Sequence, residues 1–180
     1  MKIKLTEKID LPAGISCAYK NGVLKCSKGS KSIERKLILP QTELKIHGNE
    51  IVIECAKGNK NHYKVIKSAV AHLNNVITGL EESFVYKLES CNVHFPMTLK
   101  VDKGSLAITN FLGEKNPRHA VILPNVDVEV KGSIITITSH DREAAGQTAA
   151  NMEKATKIRA RDRRIYQDGI FITSKPGRKM

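Results

Sequence analysis

Two periodicities divide this chain, and the order in which they alternate sets the expected architecture. Period-two alternation runs through Ser16–Lys20, Val23–Ser27, Glu34–Leu39, Glu43–Ile46 and Ile51–Cys55, the mark of half-buried strands. Asn21-Gly22, Lys28-Gly29 and Gly48-Asn49 punctuate them, since glycine and asparagine reach the positive-φ backbone that tight hairpins need. The spacing then changes. Tyr63, Ile66, Val70, Leu73, Ile77 and Leu80 recur every three or four residues, which places them on one face of a helix predicted from about Asn59 to Thr78, with Gly79 as its stop. Lys60, Lys64 and Lys67 fall on another face.

The whole plan then recurs. Leu37-Ile38-Leu39-Pro40, Gly48 and Ile51-Val52-Ile53 are echoed by Val121-Ile122-Leu123-Pro124, Gly132 and Ile134-Ile135-Thr136-Ile137, with Pro40 and Gly48 each repeated 84 positions on. Strands are predicted near Phe84–Ser90, Met97–Val101, Ser105–Asn110, His119–Leu123, Asp127–Val130 and Ile134–Thr138. A second helix follows from Asp141, a good N-cap, and its Ala144, Ala145, Ala149 and Ala150 allow close packing. A last hairpin is predicted from Arg164–Tyr166 through the Asp168-Gly169 turn to Ile170–Thr173. The expected fold is therefore α+β, with two tandem duplicated domains, each an antiparallel β-sheet with one α-helix packed on a face. Residues 1–81 form the first repeat and 82–174 the second. A basic tail, 175–180, is expected to be extended or disordered when free.

Charge turns this frame toward a function. Among 180 residues, 30 Lys and Arg stand against 18 Asp and Glu, a formal net charge of +12, so a polyanion is the expected partner. A membrane is not, because no stretch approaches the ~18 consecutive apolar residues of a spanning helix, and no apolar run of signal-peptide length follows the basic start. The excess is uneven. Residues 154–180 hold nine cations (Lys154, Lys157, Arg159, Arg161, Arg163, Arg164, Lys175, Arg178 and Lys179) against Asp162 and Asp168, whereas residues 81–153 hold seven cations and ten acids. Four arginines between Arg159 and Arg164 offer planar forks that match phosphate oxygens. In the first repeat, Lys20 to Lys36 carries six cations against Glu34, which makes Lys28, Lys31, Arg35 and Lys36 secondary candidates. With no Trp, four Tyr and four Phe, base stacking is not the expected main mode; backbone and shape contacts to structured RNA are.

The sequence holds no recognisable catalytic pattern. His47, His62, His72, His94, His119 and His140 do not form His-Glu-x-x-His or a Cys/His ligand set. Lys28-Gly29-Ser30-Lys31-Ser32 lacks the leading glycine of a phosphate loop and is a basic turn. Asp127 and Glu129 share a strand face but are ordinary exposed acids. Cys17, Cys26, Cys55 and Cys91 show no Cys-x-x-Cys pair, so reduced structural thiols in a cytoplasmic protein are expected. No enzyme, metal or cofactor is anticipated.

Three longer motifs add a resemblance. Asn110-Phe111-Leu112-Gly113-Glu114-Lys115, Gly146-Gln147-Thr148-Ala149-Ala150-Asn151 and the run Arg161 to Ile172 closely resemble the large-subunit ribosomal protein six family, in its archaeal and eukaryotic branch. Lys36 to Gly79, with Ala71-His72-Leu73-Asn74-Asn75, is similar to that family's first domain. The resemblance implies a structural constituent of the large ribosomal subunit with no catalysis of its own. Its partners would be large-subunit rRNA near the sarcin–ricin hairpin, neighbouring ribosomal proteins, and the translational GTPases that dock nearby. It also implies RNA contacts at Lys115, Arg118, Gln147, Thr148 and Asn151 and from Arg159 through Arg164, with the tail following. His119 stands where the family often has arginine. The rival readings are a free module for other structured RNAs and an RNA-processing enzyme.

Overall fold

The structure, a computed structural model, describes residues 3–29 and 31–179, apart from the side chains of Arg178 and Lys179. Ser30 of the basic turn, Met180 of the tail and those two cationic side chains lie outside the described residues. The chain forms two compact units, Met1–Glu82 and Ser83–Met180.

Unit 1 runs β1 (Ile3–Asp10), β2 (Ser16–Lys20), β3 (Val23–Lys28), β4 (Lys31–Lys36), β5 (Glu43–His47), β6 (Glu50–Gly58) and α1 (Lys60–Glu81). Its strands form two antiparallel sheets, ordered β1-β6-β5 and β2-β3-β4. The helix packs against β1 and β6 of the first and β3 and β4 of the second. Ile51, Ile53, Leu24, Ile66, Leu73 and Leu80 fill the space between them. Asn59 starts α1 by accepting from the Asn61 and His62 amides, while His62 Nδ1 accepts from the Asn59 amide, so two of the helix's unpaired donors are satisfied reciprocally.

Unit 2 repeats that order with β7 (Phe84–Cys91), β8 (Thr98–Asp102), β9 (Ser105–Thr109), β10 (Arg118–Val121), β11 (Asp127–Lys131), β12 (Ile134–Ser139) and α2 (Arg142–Ala155). It then adds β13 (Gly169–Lys175) and β14 (Arg178–Lys179) on the outer side of β7, giving sheets β11-β12-β7-β13-β14 and β10-β9-β8. The duplicated α+β architecture expected from the repeat is present, with the strands of each unit shared between two sheets. Gly146 shows why α2 needs small residues: a Cβ there would stand 3.0 Å from the Tyr86 hydroxyl of β7.

Several details differ from the pattern. Strand β1 escaped prediction because its alternation breaks at Glu7, which is half-buried against Lys67 Nζ at 2.7 Å. Strand β4 starts and ends earlier than expected, since the Leu37 amide turns to the Gly22 carbonyl at 2.8 Å. The buried face of α1 is rotated toward Ala69 and Val76, leaving Tyr63 exposed. Arg164–Tyr166 is a turn and not a strand, because Asp162 gathers the amides of Arg164, Ile165 and Tyr166, and Ile170 pairs instead with Ser90 of β7. The tail folds back at Pro176-Gly177, pairing Lys175 with Arg178 and Ser174 with Lys179. Finally, Cys17 and Cys26 are disulfide-bonded rather than reduced. The two-residue Asn21-Gly22 turn sets them opposite each other in the β2–β3 register, with Cα atoms 4.1 Å apart, at a narrow non-hydrogen-bonded pair. Cys55 and Cys91 are free.

Candidate nucleic-acid interface

The cations cluster where α2 ends. After Ala155 the chain leaves the helix, makes the loop 157–168 and re-enters the sheet as β13. Thr156 closes the base of that loop: its buried hydroxyl donates back to helix carbonyls and accepts from the Ile170 amide at 2.9 Å. Compact loops with their ends tied in this way display side chains on a fixed frame.

Asp168 makes a second tie. Its side chain is 1% exposed and accepts from the Val93 and His94 amides at 2.8 and 2.9 Å and from His94 Nδ1 at 2.6 Å. The carboxylate can only accept, so Nδ1 carries the proton. Burial pushes the Asp168 carboxyl up, but the hydrogen bonds from His94 and Val93 outweigh it and hold the group below its ordinary value. The His94 ring stacks on Tyr166 with centroids 4.8 Å apart, and the Arg161 guanidinium lies 4.7 Å from the Tyr166 ring centre. A buried acid thus orients a surface arginine through two rings.

Two open grooves flank the helix end. One, of about 1300 Å³, lies over β13 and the loop; the other, of about 570 Å³, lies over β10. Lys154, Lys157 and Arg159 line both and so form the ridge between them. Lys154, Lys157, Arg159 and Arg163 are exposed and make no ion pair among the described residues. Asp162 claims only Arg164, whose guanidinium binds it at 2.8 Å, and that contact holds the Asp162 carboxyl below its usual range. Lys115, also exposed, sits on the loop before β10. Glu153 is the one exposed carboxylate lining the larger groove, and exposed cations gathered in such excess are arranged for an external anion.

Other residues expected at the interface are placed differently. Arg118 is spent internally: it grips the Glu114 carboxylate at 2.5 and 2.8 Å, donates to the Ala155 carbonyl at 2.9 Å and lies over the Phe111 ring at 4.3 Å. The Glu114 carboxyl is held low by that hydrogen bond. Arg118 therefore fixes the end of α2 and the Asn110–Gly113 turn, in which Leu112 adopts a left-handed φ of 51°. Thr148 is fully buried and accepts the Leu123 amide at 3.2 Å, so its side chain faces the core. Asn151 donates to the Val121 carbonyl at 3.0 Å and accepts from Gln147, which is itself exposed. Lys175 is exposed at the end of β13. Arg178 and Lys179 have side chains outside the described residues. In unit 1, Lys28 approaches Glu81 at 3.9 Å and Arg35 meets His72 at 3.2 Å, while Lys36 is exposed and Lys31 half-exposed on β4.

The pattern missed Asp168, His94 and Thr156. Asp168 carried a signal, an acid beside a glycine in an otherwise basic segment, but it suited an ordinary turn equally well. Among the described residues no group of His, Cys, Asp and Glu side chains is placed to hold a metal ion, and no helix is long and apolar enough to cross a membrane.

A sequence model described as Ribosomal protein L6 matches residues 95–169, a segment of unit 2 that includes the whole arginine loop. The chain is 37% identical over 174 residues to the large ribosomal subunit protein uL6 of Methanococcus vannielii, covering 97% of this chain and 96% of that one. It is 38% identical over 171 residues to the protein of the same name from Methanobrevibacter smithii, covering 95% and 96%.

Proposed function

Since the chain belongs to the ribosomal protein L6 family, a family of structural ribosomal proteins and not of enzymes, we propose that it holds folded large-subunit rRNA through the basic surface of unit 2. Its place is the large ribosomal subunit, in the cytoplasm. The carrying observation is the ridge Lys154, Lys157 and Arg159 between two grooves, continued by Arg161, Arg163 and Arg164 on a loop tied at both ends. Such an array meets a curved phosphate backbone at several points without reading its bases. Arg118, Thr148 and Asn151 shape that surface from beneath, leaving Lys115 and Gln147 exposed for RNA. Lys175, Arg178 and Lys179 continue it along the final hairpin.

The finer reading is that this surface lies on RNA near the sarcin–ricin hairpin. There it would border neighbouring ribosomal proteins and support the region where translational GTPases dock. The protein's contribution is then positional: it keeps RNA helices in the geometry the factors require. Lys28, Lys31, Arg35 and Lys36 of unit 1 provide a weaker secondary contact.

The test is co-sedimentation with the large subunit, combined with Arg159→Ala, Arg161→Ala, Arg163→Ala and Arg164→Ala together. The parent protein should travel with large subunits at near one copy each. In direct binding to large-subunit rRNA, the quadruple variant should lose about 100-fold in affinity, and its log K against log salt slope should fall by about 3, from the 0.7–0.9 per phosphate contact expected of charge neutralisation. A slope unchanged by the four substitutions would refute the assignment.

A further inference from the structure

The larger groove is not lined by cations alone. Ile158 and Phe171 contribute apolar surface beside Val93, which is 66% exposed, and Phe171 is 36% exposed although it lies on a sheet strand. Phosphates do not need such a floor, and exposed apolar side chains gathered in a concavity imply an occupant with an apolar face. The rim holds Lys154, Lys157, Arg159 and Arg163 against one exposed acid, Glu153, and the four cations make no ion pair among the described residues. An occupant must therefore combine a flat apolar body with an attached anion.

We propose that the groove over β13 receives one nucleotide turned out of the rRNA stack, its base against Val93, Ile158 and Phe171 and its flanking phosphates toward Lys157 and Arg159. This deepens the function proposed above and rests on it. The volume of about 1300 Å³ is ample for a single nucleotide, which small-molecule sites of roughly 300–1000 Å³ accommodate. Proteins that bind structured RNA gain sequence or position specificity by accepting unstacked bases at bulges and loops. The groove's shape is secured by buried ties: Asp168 fixes the Val93 amide and Thr156 fixes the Ile170 amide, so both walls are set before RNA arrives. A segment of a neighbouring protein is the competing occupant, but four cations without an ion pair among the described residues, against the single exposed Glu153, favour a phosphate-bearing one.

The experiment is nucleotide-resolution probing of protein-free large-subunit rRNA bound to the full chain, with dimethyl sulfate for base edges and hydroxyl radicals for the backbone. The unsubstituted protein should protect one unpaired base within its backbone footprint. Val93→Asp, which puts a negative charge on an exposed part of the floor, should restore that base's reactivity and weaken binding about tenfold, the order of one lost base contact. Phe171→Ala should do the same in a neutral background, which separates loss of the apolar floor from charge repulsion. A backbone footprint with no base whose protection depends on Val93 or Phe171 would overturn this inference and leave the proposed function standing. Absence of any footprint would overturn both.

Discussion

Units 1 and 2 are built on one frame and stabilised differently. Each follows β-β-β-β-β-β-α, and each places its sixth strand, β6 or β12, between two antiparallel neighbours. Ile51 and Ile53 in the first have counterparts in Ile135 and Ile137 of the second, all fully buried. Yet among the described residues every buried polar side chain, Ser139, Thr148, Thr156 and Asp168, belongs to unit 2. Three of the four capture backbone groups from loops, Asn125 O, Leu123 N, and the Val93 and His94 amides, and Thr156 captures Ile170 N at the start of β13. Burying a polar group is costly unless it is bonded, so these four residues mark where chain conformation, and not core volume, has been specified. Two of them, Thr156 and Asp168, line the larger basic groove. Unit 1 instead has an apolar core and a hairpin disulfide, and its cations stand on an ordinary sheet and helix.

The largest expected effect tests whether that difference is functional. The quadruple alanine variant of the arginine loop should cost about 3 kcal/mol in rRNA binding, the equivalent of the 100-fold loss above. Lys28→Ala, Lys31→Ala, Arg35→Ala and Lys36→Ala together remove the same number of charges from unit 1 and should cost less than tenfold. Equal losses, measured by filter binding at matched salt, would mean that net charge alone governs affinity and that the shaped surface of unit 2 adds nothing.

A smaller effect addresses the buried anchors. Asp168→Ala leaves the Val93 and His94 amides without their acceptor and should destabilise unit 2 by about 2–3 kcal/mol, the scale of charged hydrogen bonds in buried sites. The folded-state pKa of Asp168 is depressed, so its contribution is complete above the ordinary carboxylate value of about 3.9 and is lost as pH falls through the lower folded value. Glu34 and Glu43 of unit 1 are also held low, by Lys25 and Lys45, but both are exposed, and solvent screens what such pairs contribute. Hydrogen exchange followed by segment should therefore show unit 2 loosening before unit 1 below pH 4, and Asp168→Ala should remove the difference. Simultaneous loosening in the parent protein would contradict the anchor's role.

The sequence carried the frame well because hydrophobic period and turn chemistry are local. Pro124 and Gly132 repeat Pro40 and Gly48, and both glycines occupy left-handed backbone, at φ 57° and 60°; that correspondence was visible in the letters. The arginine loop was visible as charge. What stayed hidden depends on distant partners. Glu114 stands four residues before Arg118, but outside a helix that spacing predicts no pairing, and the Ala155 carbonyl is remote in sequence, so the letters do not separate Arg118 from Arg159, which makes no ion pair among the described residues. Thr148 faces the core because α2 packs over Leu123, and Asp168 reaches the Val93 and His94 amides across the sheet. Cys17 and Cys26 could have been paired from the hairpin register, but the absence of Cys-x-x-Cys drew the inference toward free thiols. Strand β14 is absent from the sequence reading because a Lys/Arg-rich end without apolar alternation looks like a tail, although the outer edge of β13 supplies its partner.

The smallest expected effect tests how deep the duplication goes. Gln41 and Asn125 are 84 positions apart, one residue past Pro40 and Pro124, and both adopt left-handed φ values, 53° and 59°. Asparagine tolerates that region because its short side chain bonds locally, whereas glutamine gains no such compensation. Unit 1 thus carries a small strain that unit 2 has relieved with the better residue. Gln41→Asn should stabilise unit 1 by about 0.5 kcal/mol, and the reciprocal Asn125→Gln should destabilise unit 2 by a similar amount, a fraction of the ~1–2 kcal/mol that left-handed backbone costs an ordinary residue. Denaturant midpoints of the two variants, read with the slope unchanged, give the comparison. Opposite signs of similar size would establish that the two turns are energetically equivalent and that the units diverged only in what was added to the shared frame. A shift at Asn125 alone would instead show that the turn's energy depends on Ser139, whose hydroxyl donates to the Asn125 carbonyl at 2.7 Å, and would put a measured value on one of the conformationally specified loops of unit 2.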